Sequence, residues 1–153
     1  MVLTPHILSG AALGANVQSP WAVAVFSIIL HFLLDTLPHG DYLNKKSRLG
    51  EFWKVAVDLT LGFALVAGAL TFKGITDENM LRNVALGILF SLLPDGTTFL
   101  YIWMKMKSLS PIKKFHEKLH YHPDFSPKRQ FRFKNNLWDI LISFTSLLIL
   151  LLI

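Results

Sequence analysis

Cysteine is absent from the 153 residues of this chain, which excludes disulfides, thiolate metal sites and a cysteine nucleophile. Charge is scarce too. Charged residues make up 16% of the chain, against about 25% in an ordinary soluble domain. No serine-centred nucleophile motif and no glycine-rich phosphate loop can be read anywhere in it. The opening segment, Met1-Val-Leu-Thr-Pro-His6, lacks the positive stretch of a cleavable signal. The length predicts a single domain, residues 1–153, with no separate partner domain.

Apolar residues, at 52%, fill this space, and mean hydropathy is +0.46. They fall into five helical runs. The first covers about 5–17, is short and rich in Gly and Ala, and is marginal as a membrane span. The others cover about 20–37, 51–72, 80–104 and 137–153. Pro20 suits the first turn of the second run. Each of these four has at least 17 mostly apolar residues, about 26 Å of helix, enough to cross most of a bilayer. The fold class this predicts is all-α: a polytopic membrane bundle of four to five helices.

If all five runs cross, residues 38–50 and 105–135 share a side with the N-terminus. That side holds Lys45, Lys46, Arg48, Lys54, Lys105, Lys107, Lys113, Lys114, Lys118, Lys128, Arg129, Arg132 and Lys134; the other holds Lys73 and Arg82. The asymmetry predicts a multi-pass protein of the cell (inner) membrane, with the N-terminus and basic loops cytoplasmic. Trp53, Trp103 and Trp138 then fall at the cytoplasmic interface and Trp21 at the opposite one. Residues 105–135 form a basic, amphipathic cytoplasmic segment. In it Phe125, Phe131 and Phe133 alternate with cations, a pattern that between two spans suits anionic lipid headgroups rather than nucleic acid.

Ionisable residues at membrane depth are costly and by default mark function. Here they gather toward the predicted cytoplasmic side: His6, His31, Asp35, His39, Asp41, Asp58, Asp95, His116 and His120. His31 and Asp35 stand at i and i+4, so one helix face can bring both to a metal ion. The alternative is a His–Asp hydrogen bond that joins helices. Pro94 frees a backbone carbonyl beside Asp95, which suits a cation or a water-lined pocket; a plain proline kink is the alternative. Asp58 is either a ligand or a partner of Lys54 one turn away. His116 and His120 form a second i, i+4 pair on a helix opened by Ser110-Pro111, which equally reads as a basic helix lying on headgroups. His122 reads as a loop residue and Asp139 as a helix-dipole partner. The spacings 6 to 39 and 58 to 95 also suggest two related helical hairpins with the site between them.

On these motifs the chain resembles the bacterial "membrane-bound metal-dependent hydrolase" family of small inner-membrane proteins. That family carries an N-terminal His, a Leu-Pro-Asp-x-Asp-His motif, a His-containing loop, and a His-x-x-x-Asp helix followed by a Pro-x-Gly turn. His6 matches the first. Leu37-Pro38-His39-Gly40-Asp41 or Leu93-Pro94-Asp95 stands for the second, His116 and His120 for the third. His31-Phe-Leu-Leu-Asp35 with Pro38-His39-Gly40 matches the fourth. In the family that last element follows the loop, whereas here it precedes it. One Leu-Pro motif has His39 in place of the first Asp, and the other has Thr97 in place of the second. His-x-x-x-Asp on a helix is also similar to one motif of zinc-dependent phospholipases C.

The resemblance implies a divalent metal, zinc foremost with manganese or iron as alternatives, and hydrolysis of a phosphoester or lipid-like substrate. Asp95 or Asp58 would serve as general base where not a ligand. Expected partners are the lipid bilayer, anionic headgroups and a small-molecule or lipid substrate, without nucleic acid; an oligomer is compatible with this. The rival readings are a non-enzymatic ion-binding or transport protein and a helix scaffold.

Overall fold

The computed structural model describes residues 1–44 and 46–153; Lys45, counted among the cations above, lies outside them. The described residues form six α-helices and no strand. They are α1 (Leu3–Asn16), α2 (Pro20–Asp35), α3 (Trp53–Phe72), α4 (Glu78–Ile102), α5 (Ser110–Leu119) and α6 (Leu137–Leu152). Helix α5 lies within the amphipathic segment 105–135, and the other five occupy the five apolar runs. α2 ends two residues before the run does, because Pro38 disfavours helical backbone at Leu37. α2 and α6 thus come out at 16 residues each. Two helices, Leu49–Phe72 with its leading turn and Glu78–Ile102, are long and apolar enough by length and composition to cross a membrane.

The short first helix is the central post. α1 packs against α2, α3, α4 and α6, and Pro5 through Ala12 are all buried. Its small residues make this placement feasible. A Cβ on Gly10 would fall on the Gly87 carbonyl of α4, one on Gly14 on the Asn83 carbonyl, and one on Gly87 on the Gly10 carbonyl. The α1 and α4 backbones therefore touch through a small-xxx-small seam. Gly87→Val is expected to destabilise the protein by about 3 kcal/mol, the upper part of the overpacking range, because the obstacle is backbone and cannot rotate away. A denaturant titration in detergent, read by circular dichroism, measures this; an unchanged midpoint would contradict the seam.

Side chains from other helices satisfy both ends of α1. Val2 at its start offers no side-chain cap, so the Asp58 carboxylate of α3 accepts from the Leu3 N–H at 2.5 Å and the Thr4 N–H at 3.1 Å. At the other end Asn83 Nδ2 donates to the Val17 and Gln18 carbonyls, each at 2.9 Å. These are the free groups that every helix terminus leaves open.

The hairpin repeat is not reproduced in the packing. α1 and α2 pack on each other, whereas the consecutive helices α3 and α4 scarcely touch and both lean on α1. On the outside, large apolar side chains are exposed: Trp21 (84%), Phe26, Ile29, Leu33, Leu61, Phe63, Leu89 and Phe144 among them. α2 shows the pattern. Val23, Ser27, His31, Leu34 and Asp35 form its buried stripe, so its polar groups point inward and its greasy face outward.

Candidate metal centre

The N-terminal ends of α1, α3 and α6 meet the C-terminal ends of α2 and α4 at one end of the bundle. Hydrogen bonds link these ends: Asp58 to α1, and Asn136 Nδ2 to the Gly40 carbonyl at 2.8 Å. The segment 38–42 is pinned beneath the basic strap. Asp41 N–H donates to the Arg129 carbonyl at 2.7 Å, and Arg129 Nε donates to Asp41 Oδ2 at 2.7 Å. α5 then lies across this end against α4 and α2.

Asp35, fully buried, is the centre of what this end encloses. Its Oδ2 is 2.7 Å from His116 Nε2, 3.2 Å from His31 Nε2 and 3.7 Å from His120 Nε2. Its Oδ1 faces the Met1 amine at 3.3 Å and His6 Nε2 at 3.4 Å. Around it His31 Nε2 and His116 Nε2 stand 3.2 Å apart, His39 Nε2 and His120 Nδ1 3.1 Å apart. Asp95 Oδ1 is 3.7 Å from His116 Nε2, and Asp41 Oδ1 is 3.7 Å from His39 Nε2.

The orientation of the rings is informative. His31 Nδ1 is 2.7 Å from the Ser91 carbonyl, and His39 Nδ1 is 2.8 Å from the Leu37 carbonyl. A carbonyl only accepts, so each Nδ1 carries the proton. A neutral ring then turns its Nε2 lone pair toward the cluster. Metal-ligating histidines are held in this way, by their other ring nitrogen. His116 Nδ1 lies 3.0 Å from Thr98 Oγ1, a hydroxyl that can donate or accept there.

His6 adds a second sign. It is fully buried and stacked on His31 with centroids 4.2 Å apart, yet among the described residues neither of its ring nitrogens has a hydrogen-bond partner. A buried polar atom left unpaired costs about 1–3 kcal/mol. Burial, together with the Met1 amine, lowers the His39 pKa to about 4, and burial also lowers that of His120. Both rings are therefore neutral near pH 7, the form that ligates. Burial alone would raise the Asp41 carboxyl, but the Met1 amine and Arg129 outweigh it and hold it below the usual carboxylate range.

Among the described residues two donor groups emerge, and both could hold a metal ion: His31, Asp35, Asp95 and His116, and beside them Asp35, His39 and His120. In each group the donor atoms lie within 4.8 Å of one another. Donors about 2.0–2.1 Å from a tetrahedral zinc stand about 3.3 Å apart. The observed separations of 2.7 to 3.7 Å bracket that value. The donor set is hard and borderline, imidazole and carboxylate, which suits zinc, manganese or iron.

Of the sequence candidates, His31, Asp35, His39, Asp95, His116 and His120 are brought into these groups. His6 and Asp41 border them. Asp58 is not brought in. Besides the two α1 amides, its carboxylate accepts from Thr4 Oγ1 at 2.5 Å and from the Tyr42 hydroxyl at 2.8 Å, so it closes the end of α1 instead of facing the cluster. Asp139 is buried and hydrogen-bonded by the Asn136 side chain, a tie at the start of α6. Sequence reasoning missed Thr98, the Ser91 carbonyl, Arg129 and the Met1 amine, none of which stands out by residue type.

A cavity of 540 Å³ adjoins the cluster. Asp41, Asp95, His116, His120, Lys113 and Arg129 line its polar side. Lys113 is paired with Glu117 at 2.9 Å, and Arg129 with Asp41. The Asp95 side chain is 28% exposed, which gives this carboxylate access to the cavity. No family model, curated protein or solved structure matches the chain.

Proposed function

We propose that this chain is an integral membrane protein of the cell membrane whose His/Asp cluster holds divalent metal, and that it hydrolyses a phosphoester or lipid-like substrate at the cytoplasmic face. One observation carries the reading: imidazoles from α1, α2, the 38–42 segment and α5 converge on the Asp35 carboxylate, with backbone carbonyls holding the Nδ1 of two of them, beside a cavity. Membrane residence is supported by the outward apolar side chains and the inward polar stripe of α2, and the cytoplasmic orientation by the charge asymmetry along the sequence. The motif resemblance to membrane-bound metal-dependent hydrolases points the same way.

His31, Asp35, Asp95 and His116 would hold one ion, and His39, His120 and the shared Asp35 a second. Such an ion supplies Lewis acidity and lowers the pKa of water toward neutrality. The chain's own contributions are positional. Asp95 opens onto the cavity and, where it does not ligate, can take the proton of an attacking water. Lys113 and Arg129 line the same cavity, each paired with a carboxylate, and α5 covers the site. In the reaction the water oxygen bonds to phosphorus, and the ester P–O bond breaks with its electron pair going to the alcohol oxygen. A proton from water ends on that alcohol.

The test is turnover of p-nitrophenyl phosphate and bis-p-nitrophenyl phosphate by protein purified in detergent without chelator. Activity should vanish with EDTA and return with zinc, manganese or iron(II). Bound metal without turnover of any ester would replace this reading with that of an ion-binding protein. Absence of bound metal would end both.

A further inference from the structure

We infer that the substrate is a membrane lipid carrying a phosphoester, with its phosphate at the cluster and its hydrocarbon chain in the cleft between α3 and α4; this rests on the hydrolase reading above. The cavity beside the cluster carries both kinds of side chain. Alongside its polar groups stand Val55 and Leu59 of α3 and Leu92, Phe99, Ile102 and Trp103 around the end of α4. A site for a small hydrophilic ester has no use for an apolar lining of that size, whereas an amphipathic molecule meets both kinds of group at once.

The packing explains why the cleft exists. Among the described residues, α3 with its leading turn and α4 are the two helices long and apolar enough, by length and composition, to span a bilayer. They follow each other in sequence yet scarcely touch, because α1 separates them. Two spanning helices held apart leave a slot that lipid can enter sideways, without leaving the membrane. The slot widens where helix side chains are missing. Gly96 of α4 lines the cavity, and a Cβ there would meet nothing within 4 Å. Aromatic groups close its outer end. Phe52, Phe99 and Trp103 pack edge to face or stacked with centroids 4.9 to 5.7 Å apart, and Trp103 is a residue type that favours a membrane interface.

The decisive comparison uses metal-loaded Gly96→Phe, which fills the slot from α4, and Val55→Trp, which fills it from α3. Gly68→Phe is the control, since Gly68 on α3 also faces open space but does not line the cavity. Turnover of dioleoyl phosphatidic acid and phosphatidylglycerol in mixed micelles is compared with that of the p-nitrophenyl esters. Both slot variants should lower the ratio of lipid to soluble turnover at least 10-fold, and the control should leave it unchanged. Native mass spectrometry of the same proteins should show phosphatidic acid retained by wild type and lost from both slot variants. If wild type cleaves the soluble esters but neither turns over nor retains the lipids, the lipid assignment falls and the hydrolase stands. If it retains lipid in the slot yet cleaves no ester, the hydrolase reading falls and the lipid site stands. An equal drop for both ester classes in the slot variants would also overturn the lipid assignment.

Discussion

Asp35→Ala is expected to strip metal from the whole cluster, not from part of it. Its carboxylate belongs to both donor groups, and it stands within 3.7 Å of imidazole nitrogens from His6, His31, His116 and His120. Without it the Asp95 carboxylate beside His116 is the anion left in the first group and the second group keeps only imidazoles, so any cation drawn to either loses a charged ligand. Even a partner one shell out from a metal typically costs 10–100-fold in affinity, so loss of the shared carboxylate should exceed that. Bound metal per chain, measured by inductively coupled plasma mass spectrometry, should drop at least 10-fold. His39→Ala touches only the group formed with His120, so it should lower the content by one ion and leave the remainder. The two variants together count the ions. If Asp35→Ala kept the wild-type metal content, the cluster would not be the metal centre, whatever its geometry.

The helices were legible because their signal is local. Apolar runs bounded by Pro20, Pro38 and polar breaks give every long helix to within about two residues. The one notable shortening, at Leu37, follows from the backbone of a residue before proline. The site was legible in two degrees. His31 and Asp35 could be read from spacing alone, since i, i+4 on a helix fixes a shared face. His39, Asp95, His116 and His120 could be gathered only through topology, because helix ends that alternate in direction meet at one end of a bundle. Residue type could not separate Asp58 from Asp95. Both are carboxylates on apolar helices near that end, and what distinguishes them is that Val2 gives α1 no cap, so Asp58 supplies it. The Gly10-x-x-x-Gly14 spacing was present in the sequence and marks the α1–α4 seam, but its partner, Gly87, is found only once the helices are placed. For the same reason α1 looked marginal as a span. It is short because it is enclosed by protein on every side, and an enclosed helix need not match a bilayer.

The largest structural response to metal removal should appear in α5. This helix has ten residues, of which only Lys113 and His116 are buried. It is too short to persist alone in water, and its apolar stripe of Ile112 and Phe115 is largely exposed. What ties it to the bundle is the cluster: His116 to Asp35, His31 and Thr98, and His120 to His39. A ligand that binds only the docked state stabilises it by about 2.7 kcal/mol at a hundredfold excess over its dissociation constant, a factor of about 100 in the opening equilibrium. Hydrogen exchange at residues 110–120 should therefore speed up about 100-fold when EDTA strips the protein. The middles of α1 and α4 should change little, since the glycine seam and the Asn83 bonds hold them without any donor of the cluster. Readdition of zinc should restore protection in α5. Exchange in α5 that ignores both EDTA and zinc would mean that the helix docks without metal, and that His116 and His120 serve packing instead of ligation.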